Sequence, residues 1–207
     1  MPSKKYLLIA VYIAVLAIPV ITWIRGFNAT DKLHLFMHSL GLLAFTLLFC
    51  QLVIGAFMNY LRPVFGSKIL RWHIVQGTVA FCLAWLHPIM YAILVGLRPL
   101  LLLFSWTTPY YFLGLVGLIL LTIAVTAGAL RTQTWLAKYW RWIHRLNYLT
   151  LAAIYLHSLN VGTDTHTFPM ILLYYLIPPV FVYSLYYKMR PYTGKFLERY
   201  LKKLRAV

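Results

Sequence analysis

Charge is scarce in this chain, and acidic charge is nearly missing. Asp and Glu together number 3 in 207 residues, and all charged types make up 11%. A soluble domain averages about 25% charged residues, so an ordinary soluble domain is excluded. Cysteine is almost as rare. Cys50 and Cys82 lie in apolar segments, far from any second cysteine at ligand spacing, and read as buried free thiols. An iron–sulfur cluster takes four protein ligands, so two cysteines exclude one, and there is no CxxC zinc pattern. No G-x-G-x-x-G follows a strand, which excludes dinucleotide binding in the Rossmann manner. Internal repeats, low-complexity linkers and a second domain are lacking too.

What remains is hydrocarbon and cations. Hydrophobic residues make up 62% and aromatics 17%, with a net charge of +16. Six stretches reach the roughly 20 residues that cross a bilayer: Tyr6–Ile24, Leu33–Tyr60, Ile69–Leu97, Pro109–Leu130, Tyr139–Asn160 and Phe168–Lys188. Lys4 and Lys5 before an apolar run resemble a signal peptide. The run exceeds a usual h-region and no small-residue cleavage site follows, so it reads as the first transmembrane helix. Pro63 and Pro99 mark breaks, Pro109 and Pro169 mark helix starts, and Pro88, Pro178 and Pro179 lie inside spans. The fold class is therefore all-α, a six-helix transmembrane bundle in one domain.

The cations set its orientation. One side takes Lys4, Lys5, Arg62, Lys68, Arg71, Arg131, Lys138, Arg141, Arg145 and the tail Lys188, Arg190, Lys195, Arg199, Lys202, Lys203 and Arg205, sixteen in all. The other side takes Arg25, Lys32 and Arg98. The positive-inside rule then puts both termini in the cytoplasm, with Glu198 inside and Asp31 and Asp164 outside. Cations distributed this way make no nucleic-acid face, so no nucleic-acid partner is expected. The expected location is a multi-pass protein of the bacterial cytoplasmic (inner) membrane. Residues 190–207 form a basic tail that reads equally as a helix on anionic headgroups or as a solvated stop-transfer segment.

Four histidines fall inside the spans. His73 and His87 are fourteen positions apart in the third, and His144 and His157 are thirteen apart in the fifth. An imidazole in hydrocarbon needs a partner, and a role that needs several is binding metal or haem. At about 1.5 Å per residue, each pair is separated by roughly 20 Å along its helix. Both helices run inside to outside, so His73 matches His144 in depth and His87 matches His157. Bis-histidine ligation fills both axial positions of a haem iron and suits electron transfer. Fourteen residues return to within about 40° of the starting face, whereas thirteen leave an offset of about 140°. The third span thus aims both rings one way, while the fifth needs a tilt, supercoil or π-bulge. The plainer alternative is a set of buried histidines satisfied by structural hydrogen bonds.

Two segments carry a family resemblance: H-I-V-Q-G-T-V-A-F-C-L-A-W-L-H-P-I-M-Y-A from His73, and W-R-W-I-H-R-L-N-Y from Trp140, reaching on to His157. Their histidine spacings resemble the ferric reductase-like transmembrane domain family. It includes ferric reductases, NADPH oxidases and the bacterial membrane subunit of the methionine sulfoxide reductase system. The resemblance covers residues 1–189, nearly the whole chain. It implies two b-type haems, His73 and His144 on the inner one and His87 and His157 on the outer one, with electrons flowing outward. Larger members add a cytoplasmic flavin and nicotinamide domain. None is found here, which implies a separate flavoprotein reductase or quinol donor, with flavin or quinone at the cytoplasmic side. The stand-alone form is similar to the methionine sulfoxide reductase subunit. That subunit usually lacks a histidine at the position of His73, so His73 implies two haems.

Other polar residues gather near the ends. Arg71, Arg141 and Arg145 lie within about a turn of the inner histidines and are candidate partners for haem propionates, Arg145 foremost. Ordinary membrane anchoring is the alternative. His34 and His38 share a helix face at the outer start of the second span, after Asp31 and across from Asp164 and His166. They are a candidate outer metal site, a hold for outer propionates, or plain interfacial polar residues. The tryptophans mark interfaces. The leading expectation is transmembrane electron transfer to a ferric or cupric ion, oxygen or a periplasmic protein. The alternatives are a one-haem, quinone-linked subunit of a methionine sulfoxide reductase, and a non-redox metal or proton transporter.

Overall fold

The computed structural model describes the backbone of residues 2–26, 32–96 and 109–204, and the side chains of residues 4–26, 33, 35–94, 96 and 109–190. Asp31, Arg98, Pro99 and Arg205 lie outside the described residues, as do the side chains of Lys32, His34 and the tail from residue 191. The order is α1 (Pro2–Gly26), α2 (Lys32–Ala56), α3 (Met58–Phe65), α4 (Lys68–Val95), α5 (Pro109–Ala129), α6 (Trp140–His144), α7 (Leu146–Val161) and α8 (Met170–Leu204), with a 3₁₀ turn at Asp164–His166. Among the described residues there is no strand.

Five helices, α1, α2, α4, α5 and α8, are long and apolar enough to cross a membrane. This is an integral membrane protein. The expected fifth span is instead made in two pieces. α7 has 16 residues, about 24 Å of helix, and α6 precedes it across a break at Arg145. The cause is a tighter turn: Arg145 N–H bonds Trp142 C=O at 3.1 Å, three residues back.

The second expected span also divides, at Phe57. Both Tyr60 and Leu61 donate to the Phe57 carbonyl at 2.9 Å, and its ring stacks between Tyr183 and Tyr187 of α8. Pro63, expected to follow the span, sits inside α3. Pro109 does open α5. α8 runs on through residue 190 into the tail without a break.

α2 is the axis. Most of its span is buried, and its Leu42, Phe45, Phe49, Cys50 and Leu52 form the core with Leu151 of α7 and Met170, Leu173, Tyr174 and Ile177 of α8. Cys50 is buried as expected, but Cys82 is exposed. It lies on the outer face of α4 between exposed Val79 and Trp85, where hydrocarbon rather than protein covers a small apolar side chain. α2 packs chiefly on α4, and α5 on α7. α5 buries Gly117, Leu121, Ala124 and Ala127, and the glycine and alanines among them are small enough to let membrane helices approach closely. Gln76 of α4 ties three helices: it donates to Leu47 C=O at 2.9 Å and accepts from Tyr12 Oη at 3.0 Å.

Candidate functional site

α2 and α5 each carry two glycines fourteen residues apart, Gly41 and Gly55, and Gly114 and Gly128. At that spacing each pair shares one helix face. Every one of the four histidines lies against one of these glycines. A Cβ added to Gly41 would stand 3.0 Å from His87 Nδ1, to Gly114 2.8 Å from His157 Nδ1, to Gly128 3.1 Å from His144 Nδ1, and to Gly55 3.2 Å from His73 Cε1. Any side chain at these positions would crowd the rings, so glycine is needed for the close approach.

The glycines also uncover a backbone acceptor. In a helix the carbonyl of residue i points along the axis toward residue i+4. His87 Nδ1 donates to Met37 C=O at 3.0 Å, His144 Nδ1 to Ala124 C=O at 2.9 Å, and His157 Nδ1 to Tyr110 C=O at 2.8 Å. Each acceptor stands four residues before its glycine. A carbonyl only accepts, so the proton is on Nδ1 and the Nε2 lone pair of each ring is available. This is how proteins hold an imidazole for a metal. It also answers the thirteen-residue offset. The break at Arg145 releases His144 from the phase of α7, and both rings seat on one face of α5.

His73 is held differently. Its Nδ1 is buried and makes no hydrogen bond. Gln51, four residues before Gly55, uses its amide nitrogen on the His73 backbone carbonyl. The His73 and His144 rings nevertheless meet, centroids 6.3 Å apart and planes at 73°. His87 and His157 lie against Gly41 and Gly114, each fourteen residues before the glycine that seats His73 or His144 on the same helix. The structure thus brings the His73 and His144 rings together, and seats His87 and His157 against the other glycine of the same two helices.

Of the basic candidates, Arg71 is exposed on the first turn of α4. Arg145 lies over the Trp142 ring, 4.3 Å from its centroid, and Arg141 over Trp140 at 5.5 Å. Lys188 of α8 reaches the same end and donates to Gly55 C=O at 3.4 Å. At the far end, His38 Nδ1 approaches Asp164 Oδ2 at 3.6 Å and Thr163 Oγ1 at 3.4 Å. His166 turns away, its Nε2 on Leu159 C=O at 3.2 Å. Among the described residues, no group of three His, Cys, Asp or Glu side chains is placed to hold a metal ion. Of the outer candidates, the described side chains bring His38 and Asp164 together, while the side chain of His34 lies outside them.

Sequence reasoning passed over the four glycines, Gln51 and Lys188. The glycine signal was present as a second fourteen-residue repeat matching that of His73 and His87. Gln51 is an amide in the apolar interior of a span, which is a functional signal in itself.

Over residues 40–155 the chain matches the family described as ferric reductase like transmembrane component. Over 125 residues it is 31% identical to the protein-methionine-sulfoxide reductase heme-binding subunit MsrQ of Rhizobium meliloti (strain 1021), a match that covers 59% of this chain and 56% of that protein. The chain thus spans a little over half the length of this curated relative. No solved structure matches it.

Proposed function

We propose, from the premise that this chain belongs to the ferric reductase-like transmembrane family, that it carries electrons across a membrane on two b-type haems. His73 and His144 hold the haem at the basic end, and His87 and His157 the one at the far end. The observation that carries this reading is the seating of the rings: three of the four Nδ1 atoms are fixed by carbonyls, which leaves the Nε2 lone pairs of those rings unprotonated and available. The His73/His144 separation fits the group. The ring centroids stand 6.3 Å apart, a separation that would leave room for one metal ion bonded to both rings at about 2 Å per metal–nitrogen bond.

Bound haem supplies a one-electron ferric/ferrous couple. The chain's own residues keep the rings in place, hold the Nδ1 protons, and surround the centre with apolar side chains. The cation asymmetry favours the basic end as cytoplasmic, with six membrane crossings once α6 and α7 are counted together. Arg145 and Arg71 stand at that end as candidates for the propionates. Electrons then enter from a separate flavoprotein or quinol and leave to an outer acceptor.

A second reading is a one-haem, quinone-linked subunit serving a methionine sulfoxide reductase. Two observations favour it: the likeness to the R. meliloti heme-binding subunit of a protein-methionine-sulfoxide reductase, and the Nδ1 of His73, which lacks the carbonyl that the other three have.

Reconstitution into vesicles tests the electron path. With ferricyanide trapped inside and a reduced dye outside, haem-loaded protein should bleach the trapped ferricyanide, and His87→Ala should not. Equal bleaching by both would refute transfer through the far-end pair.

A further inference from the structure

The two histidine pairs have unequal surroundings. At the far end both rings donate to backbone carbonyls, His87 to Met37 and His157 to Tyr110. At the basic end His144 does so, to Ala124, while His73 Nδ1 is buried and makes no hydrogen bond. A cation adds a second difference. Lys188 Nζ donates to Gly55 C=O at 3.4 Å, and Gly55 is the residue against which the His73 ring lies, 3.2 Å from a Cβ position to Cε1. Among the described side chains the far end carries Arg25, turned to Phe168, and Asp164 beside His38.

We propose that Lys188, with the unbonded Nδ1 of His73, makes the basic-end pair the stronger electron acceptor. A redox-active haem on His73 and His144 then has a higher reduction potential than one on His87 and His157. This rests on the electron-carrier reading above. Both causes act in the same direction. An Nδ1–H bonded to a carbonyl raises the basicity of the imidazole toward the oxidised metal, and His73 lacks that bond. A nearby cation favours the form with one positive charge fewer, which is the reduced one. As a scale, one unit charge roughly 10 Å from a redox centre in an effective dielectric of about 20 changes its reduced-to-oxidised ratio roughly tenfold, about 59 mV for a one-electron couple. The first electron to enter the protein therefore rests at the basic end, and the far end fills with the second.

A spectroelectrochemical titration of the haem-loaded full chain tests this. Wild type should show two one-electron waves. His73→Ala should remove the higher wave. Lys188→Gln should lower that wave by about 59 mV and leave the other in place, and Lys188→Arg, which keeps the charge, should leave both where they were. Loss of the lower wave in His73→Ala, or a higher wave that Lys188→Gln does not move, would overturn the inference and leave the two-haem reading standing. A single wave indifferent to His73→Ala would overturn the two-haem reading, and the inference with it.

Discussion

A ring seated on a glycine leaves no slack. Gly114 is the tightest of the four seats, with a Cβ position 2.8 Å from His157 Nδ1. Overpacking of this kind costs about 1–3 kcal/mol, and here the strain falls on the ring that the haem needs. Gly114→Ala should therefore drop the haem-to-protein ratio toward half; an unchanged ratio would show that the ring has room to move. Gln76 is the other residue whose role is clear, since it bridges α1, α2 and α4. Interhelical hydrogen bonds in membranes average about 0.6 kcal/mol each, so Gln76→Leu should lower stability by about 1 kcal/mol, measured by unfolding in detergent. Neither residue was singled out from sequence. The histidines were, because an imidazole in hydrocarbon announces a partner, whereas a glycine in a membrane helix is common and gains meaning only against the ring it seats.

At the scale of helices, spacing decided what sequence revealed. The fourteen residues between His73 and His87 fit an unbroken helix, and α4 is one from Lys68 to Val95. The thirteen between His144 and His157 do not, and the helix breaks between them at Arg145. Hydropathy sees an apolar run and is blind to a single tight turn within it, which is also why Phe57 went unnoticed as the end of α2. α5 supplies the register for both His144 and His157, so its phase is testable. One alanine inserted after Leu121 would turn Gly128 about 100° from Gly114. One histidine of the α6–α7 pair then loses its seat, and the absorbance of one haem should vanish from the reduced-minus-oxidised spectrum. An undiminished spectrum would mean that α5 does not set the register.

For the whole molecule, composition was enough to establish a helical membrane protein, and the cation count assigns its two ends an expected orientation. The depth pairing followed from those ends, since parallel helices of similar length bring matched residues to matched depths. Topology itself is open to test: a fluorescent protein fused after Val207 should fold and fluoresce in the cytoplasm, and a phosphatase fused there should be inactive. The reverse result would invert the direction of electron flow. The central claim is that four seated histidines hold two haems, and haem stoichiometry tests it most directly. Purified wild-type chain should carry two b-type haems, and His73→Ala should carry about one. One haem per chain in both proteins would contradict the account.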